Sequence, residues 1–366
     1  MLFHSTLRKE LARSFGATFV VLVTIVMTMT LIRTLSQASR GSVNPQDVMM
    51  IMGYSGLGYL PPLLSMSLFI AIVGTLSRMY RDSEMVIWFA AGRGLFSFMG
   101  PLLRFAWPVL LVVTALALVV WPWANGQIQD MKDRYGSRGD LARVAPGQFQ
   151  ESASGKRVFF LDKDTPDNKS GKNIFISSNE HGKETVTSAR SGRIDIVGDS
   201  QYLILSNGQR LETAEGNQLK ISEFEEYATR VGESELVSHE NLPTKALSTI
   251  TLLAEPTALN RGELAWRMGL ALAAINFVVL AVTVSSANPR AGRSGNLIFA
   301  LFAFVVYFNL LNLGQSWISA GRVGFAQFML GLHGGVFVGS LLWLSKQHNN
   351  WSLRQLLPWR AARSKA

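Results

Sequence analysis

Arg81, Asp82 and Glu84 stand just ahead of the apolar stretch Met85-Val86-Ile87-Trp88-Phe89-Ala90-Ala91-Gly92. Read as a helix, this stretch places Met85, Trp88, Phe89 and Gly92 at i, i+3, i+4 and i+7, on one apolar face. The carboxylates fall at its start, where they complement the positive end of the helix dipole. The chemistry on offer is binding. The segment is too short and too charged to cross a bilayer. Two readings fit it: an amphipathic loop helix resting in the membrane interface, or a docking helix gripped by a soluble partner. No Ser/His/Asp arrangement and no metal-ligand spacing accompanies it. His181 and His239 are isolated and read as surface histidines. We assign no catalytic residue and no metal ligand.

The elements that would position such a segment are membrane helices. The chain has 366 residues, 48% of them hydrophobic, and a net charge of +10. These averages hide a contrast between oily ends and a polar middle. A basic balance invites nucleic acid. Here, however, many Arg and Lys sit at the ends of hydrophobic runs, where membrane topology uses them, so no nucleic-acid partner is expected. There is no cysteine, which excludes disulfides and thiol chemistry. The N-terminal basic residues lead into an apolar run without a small-residue cleavage site, as in a retained first helix rather than a signal peptide.

Taken in order, His4–Phe15 is a basic amphipathic lead-in and Phe15–Leu35 a first span. Its Thr18, Thr24, Thr28 and Thr30 are able to bond back to the helix. A second span covers Val48–Leu76, with a kink or break expected at Pro61-Pro62. Pro101–Trp123 is a third, closed by the interfacial anchor Trp121-Pro122-Trp123. From Ala124 to about Arg261 hydrophobic spans vanish. Turn signals (Ser154-Gly155, Asp167-Asn168, Asn207-Gly208, Glu215-Gly216) separate short β-rich runs at Arg157–Leu161, Asn173–Ser177, Glu184–Ser188, Arg193–Val197, Tyr202–Leu205 and Gln218–Phe224. That pattern predicts an antiparallel sandwich or jelly roll. Three further spans follow at Glu263–Ala287, Gly295–Leu313 and Gly324–Leu344, and the tail is basic. Asn276 and Asn309 inside them read as contacts between helices.

The fold class is an α+β membrane protein: six transmembrane helices, 3 + 3, with an inserted antiparallel, jelly-roll-like β domain. The domains are 1–123 (membrane half, with the charged segment near 80–92), 124–261 (β domain), 262–345 (second membrane half) and 346–366 (basic tail). Six spans place both termini on one side. That side collects Arg8, Lys9, Arg13, Arg78, Arg81, Arg93, Arg290, Arg293 and the tail, so it is cytoplasmic, and the β domain lies outside. Three functions were weighed. A transporter subunit would need a separate ATPase, since no G-x-x-x-x-G-K-[ST] exists and Gly92-Arg93-Gly94 is not one. A non-transporting scaffold or receptor displaying a β domain gives the charged helix no task. A membrane enzyme lacks a catalytic constellation.

Four segments carry a resemblance: Leu76-Ser77-Arg78-Met79-Tyr80-Arg81-Asp82-Ser83-Glu84 with Ala91-Gly92; Ala145-Pro146-Gly147-Gln148-Phe149; Asn260-Arg261-Gly262-Glu263-Leu264-Ala265-Trp266-Arg267; and Asn288-Pro289-Arg290-Ala291-Gly292-Arg293. In this order and with this layout the chain resembles the LptF/LptG permeases, the membrane subunits of the lipopolysaccharide export ABC transporter. The LptF branch is the nearer. The resemblance implies a paralogous LptG-like six-helix partner and two copies of a cytoplasmic LptB-like ATPase. It also implies LptC-like and LptA-like proteins continuing a periplasmic bridge from the β domain. The setting would be the Gram-negative inner membrane. No cofactor would be bound directly, and ATP would be used by the partner. Glu84 would be the docking acid, with Arg81, Asp82 and Trp88 beside it.

The substrate so implied is a multi-acyl, phosphorylated amphiphile, which requires an apolar cavity with cations at its outer rim. Arg33, at the outer end of the first span, and Arg322 are the candidates, because a guanidinium fork suits phosphate. The alternative for each is snorkelling to ordinary headgroups. In the β domain, Phe149, Phe159, Ile174, Ile176, Ile194, Ile196, Leu203 and Leu205 are expected to form the core.

Overall fold

The computed structural model describes residues 2–39, 42–92, 94–136, 149–151, 157–160, 162, 170–180, 183–197, 200–214, 218–233, 242–287 and 292–349. Six helical stretches are long and apolar enough to cross a membrane: Thr6–Ser39, Pro45–Arg81, Phe96–Tyr135, Ala258–Ser285, Gly295–Ser319 and Phe325–Asn349. An antiparallel sheet is inserted between the third and the fourth. The chain packs as two compact units: residues 1–28, 55–126 and 243–366, and residues 29–54 and 127–242.

Helix α1 (Leu2–Ser39) joins the basic lead-in to the first span without a break. Within it the Thr24 and Thr28 hydroxyls donate to the carbonyls of Val20 and Thr24, at 2.8 and 2.9 Å. Bonded back in this way, they present no unsatisfied polar group to hydrocarbon. Helix α2 (Val48–Arg81) also runs unbroken, with Pro61 and Pro62 inside it. The expected break does not occur, because packing overrides the two missing donors: Leu63, Leu68, Phe69 and Ile72 beyond the pair are all buried. The short α3 (Glu84–Ala90) follows, then α4 (Phe96–Ala115), a π turn at Leu116–Val120 and α5 (Trp121–Gly136). The third helix therefore does not close at Trp121-Pro122-Trp123, as the aromatic anchor suggested, but continues to Gly136. Pro122 has no N–H for the Leu118 carbonyl one turn back, and the Thr249 hydroxyl donates to that carbonyl.

The second membrane half comprises α6 (Thr249–Ala254), α7 (Ala258–Ala287), α8 (Gly292–Ser319), α9 (Phe325–Phe328), a π turn at Met329–Gly334 and α10 (Gly335–Asn349). The most apolar windows of α2 and α7 are each 72% buried, whereas that of α1 is 6% buried. So α2 and α7 are interior helices, and the α1 side chains face lipid or another chain. Phe277 of α7 stacks on Phe69 at 4.9 Å and on Phe304 at 5.1 Å, forming the centre of the apolar core. At Gly262 a Cβ would lie 2.0 Å from the Ser319 hydroxyl, so glycine there permits the close approach of α7 and α8.

One buried ion pair organises this unit. Arg267 and Glu263, one turn apart on α7, are 0% and 1% exposed and bond at 3.0 Å. Glu263 also accepts from the Trp121 indole at 2.9 Å and from Gln315 at 2.9 Å. Arg267 donates to the Thr249 hydroxyl and to the carbonyls of Thr244, Lys245 and Leu247. Because Thr249 in turn reaches Leu118, the network ties the entry to α7 to the third and fifth spans. Deeper in the same unit, Asn276 donates to the Tyr307 hydroxyl and to the His333 carbonyl, as expected of an interhelical contact. Asn309 does not: its amide donates to Val305 in its own helix.

The sheet contains β1 (Phe149–Glu151), β2 (Arg157–Phe160), β3 (Ser170–Glu180), β4 (Lys183–Val197), β5 (Ser200–Ala214) and β6 (Gln218–Glu233). All neighbours are antiparallel, in the order β1-β2-β3-β4-β5-β6, a meander among the described residues. One face buries Ile174, Ile176, Ala189, Leu203 and Leu205 beneath Phe224 and Tyr227. Phe149 is not in this core. It is 68% exposed and stacks with Phe160 and Phe175 instead. The side chains of Phe159, Ile194 and Ile196 lie outside the described residues. Asn207-Gly208 is no inter-strand turn either. Asn207 adopts φ 53° inside β5, and a Cβ on Gly208 would meet the Phe224 ring at 2.5 Å.

Replacing Arg267 by Met strands a buried carboxylate, so the folded chain in detergent is expected to lose about 3–5 kcal/mol. The double replacement Glu263→Leu/Arg267→Met is expected to cost much less. Thermal unfolding of both variants checks this, and equal losses would show that packing rather than charge pairing dominates.

Candidate docking and lipid-binding sites

The charged corner is built by the last turn of α2, where Arg78 and Arg81 suit the negative end of the helix dipole. The chain then reverses through Asp82 and Ser83, the latter at φ 58°, a left-handed conformation that turns the backbone sharply. Glu84 opens α3. At its other end, the Gly92 N–H bonds the Phe89 carbonyl at 3.0 Å, with φ 76° that glycine adopts without strain.

Arg78 is the hub of this corner. Its Nη1 donates to Glu84 Oε1 at 2.6 Å and to Asp82 Oδ2 at 3.1 Å. Its Nη2 donates to Glu10 Oε2 at 2.7 Å, and its Nε bonds the other oxygen of Glu10. Arg81, more exposed, donates from Nε to Asp82 Oδ1 at 3.1 Å. The Arg81 guanidinium, followed by that of Arg78, holds the Asp82 carboxyl below its ordinary range.

The apolar residues of α3 divide differently from the expected single face. Met85 is buried and Trp88 is half-buried against the core, but Phe89 is exposed. Val86, Ile87 and Phe89 are 63%, 68% and 41% exposed. A helix with one apolar side in the core and another uncovered beside an acidic cluster has the makings of an interface. The structure thus brings Arg81, Asp82, Glu84 and Trp88 together, as anticipated. It adds Arg78 and Glu10, which the sequence did not offer as site residues. Arg78 had been counted only as a topology charge, and Glu10 lies 68 positions away from it.

Arg33 and Arg322 occur separately, one in each compact unit. Arg33 is exposed on α1 and lines an open groove of about 550 Å³ with Met29, Ile32, Ser36 and Gln37. These residues recur every three to four positions on one helix face, apolar at one end and polar at the other. Arg322 is exposed in the turn after α8, its N–H bonded to the Trp317 carbonyl at 2.9 Å.

A corner of paired charges between spans, six apolar helices and an inserted sheet define a multi-pass membrane protein with no catalytic centre of its own to display. The profile of the family described as "Lipopolysaccharide export system permease LptF/LptG" matches residues 6–347. The chain belongs to that family. It is 27% identical over 317 residues to the lipopolysaccharide export system permease protein LptF of Escherichia coli K12, covering 84% of this chain and 83% of the relative. The LptF protein of Shigella flexneri is similar to the same extent.

A lowered Asp82 value means that the corner is favoured by ionised Asp82 above the ordinary carboxylate range and loses that contribution only as pH falls through the lowered value. Carboxyl-resolved NMR should show Asp82 still ionised at about pH 4, where a free aspartate is half protonated. A midpoint at or above that pH would show that the Arg81 and Arg78 bonds do not persist in solution.

Proposed function

We propose that the chain is the LptF-like membrane subunit of an ABC transporter that extracts lipopolysaccharide from the inner membrane and delivers it to a periplasmic bridge. The observation that carries this is the uncovered apolar face of α3 beside the Arg78-held acidic cluster, in a chain of the lipopolysaccharide permease family. A loop helix with Val86, Ile87 and Phe89 exposed needs a cover. A cytoplasmic ATPase of the LptB type fits, with Glu84 offered to a basic group and the three apolar side chains to a groove. Two copies of the ATPase would serve this chain and a paralogous LptG-like permease, which would cover part of the exposed apolar surface of α1 and α8.

The distribution of arginines supports cytoplasmic termini and a periplasmic sheet. The sheet would join an LptC-like protein by adding a strand at an open edge, with an LptA-like protein beyond it. ATP is consumed by the partner, and this chain contributes coupling and the lipid path. Arg33, in its part-apolar groove, would meet a lipid phosphate while Met29 and Ile32 meet acyl chains. Arg322 is a second such cation.

Purification of the tagged chain in mild detergent, followed by mass spectrometry of proteins and lipids, is expected to recover an ATPase, a second six-helix chain and lipid A. Recovery of the chain with none of them would overturn the reading. Ile87→Glu and Glu84→Arg should each lower ATPase recovery at least tenfold while leaving insertion intact. Of the two, Ile87→Glu is the cleaner variant, because an arginine at 84 would also face Arg78. Arg33→Glu should weaken lipid crosslinking more than it weakens assembly, and equal losses would assign Arg33 to folding.

A further inference from the structure

The guanidinium of Arg78 holds carboxylates from two segments far apart in sequence: Glu10 near the start of α1, and Asp82 and Glu84 at the entry to α3. The hold on Glu10 is a two-point fork, through Nε and Nη2, and the hold on Glu84 uses the outer edge. Apolar contact accompanies it. Leu7 and Leu11, on the same helix as Glu10, are 4% and 1% exposed, in the core cluster that also contains Met79 and Met85. The first turns of α1 are therefore fastened to the α2–α3 corner both by packing and by charge. Glu84 remains 40% exposed, so a basic group of a partner can reach it while Arg78 retains the other side. Among these residues, three carboxylates face Arg78 and Arg81, leaving one negative charge in excess for that group to neutralise.

We propose that Arg78 is a positioning residue that latches the N-terminal turns of α1, through Glu10, to the docking helix α3, so that a displacement of α3 by its partner is passed to the first span. The inference rests on the docking role of α3. A partner cation that draws on Glu84 loosens the pull of Glu84 on Arg78 and leaves Arg78 more fully to Glu10, so engagement tightens the latch. The arrangement requires arginine. Lysine supplies one charge, but not a planar fork that spans two carboxylates from separate helices.

The test uses Glu10→Gln and Arg78→Lys, each in the full chain purified with its co-isolating proteins. Three quantities are read: ATPase recovered, ATP hydrolysed, and lipopolysaccharide released from proteoliposomes to a soluble acceptor per ATP. The expected result is ATPase recovery within about twofold of the unaltered chain and lipid released per ATP reduced about tenfold, on the scale of one charge-assisted bond. Glu10→Asp, which keeps the charge, should recover part of the ratio. An unchanged ratio in both variants would overturn the latch. So would ATPase and lipid release falling in proportion, because a merely structural contact reduces the amount of complex and not its yield per ATP. If the unaltered chain recovers no ATPase, the docking role falls, and the latch with it.

Discussion

Two opposite charges buried in the membrane unit, Glu263 and Arg267, set the terms for the helices around them. Removing an ion from water costs several kcal/mol even after relaxation, so the pair persists only because its remaining bonding capacity is taken up. Trp121 and Gln315 complete the carboxylate, while Thr249 and three backbone carbonyls complete the guanidinium. Each of these partners comes from a different part of the chain. The third span, the fifth span and the segment entering α7 must therefore arrive together, since any one missing leaves a charged group short of a bond. In hydrocarbon, where apolar contact alone does not discriminate between helix arrangements, such a requirement selects one of them.

The corner around Arg78 follows a different logic. Its side chains are about one-quarter to two-fifths exposed, and ion pairs at that exposure add little to stability, about 0–1 kcal/mol each. Their contribution is geometric. They orient Glu84 and fasten α3 to its neighbours while leaving three apolar side chains uncovered. One cluster fixes the architecture of the interior, and the other presents a surface.

Local signals in the sequence translated well where one segment determines the outcome. Span positions follow from the length of apolar runs, the threonine back-bonds of α1 from side-chain chemistry, and most of the β runs from alternation. What was not legible depends on partners distant in sequence. Trp121-Pro122-Trp123 looks like an interfacial stop, but Thr249 supplies a bond to the carbonyl that the proline cannot serve, and the helix goes on. Pro61-Pro62 looks like a break, but the packing of α2 carries it through. Asn207-Gly208 has turn chemistry, which β5 uses for an irregularity beneath Phe224. The face of α3 was misjudged at Phe89 because periodicity identifies an apolar side without saying what covers it. Glu263 and Arg267 had a detectable signal, opposite charges one turn apart at the start of an apolar run. Glu10 had none.

The π turn at Leu116–Val120 has a consequence for how this span can vary. It holds one residue more than regular α-helix would, directly before Trp121. Losing that residue would restore ordinary helix, but each residue accounts for roughly 100° of rotation, so everything beyond would swing to another side. The Trp121 indole would then leave Glu263, and the Leu118 carbonyl would leave Thr249. Leu116, Val119 and Val120 need only be apolar, and many side chains would serve. Over evolutionary time this span should therefore accept new letters freely and reject a change in their number.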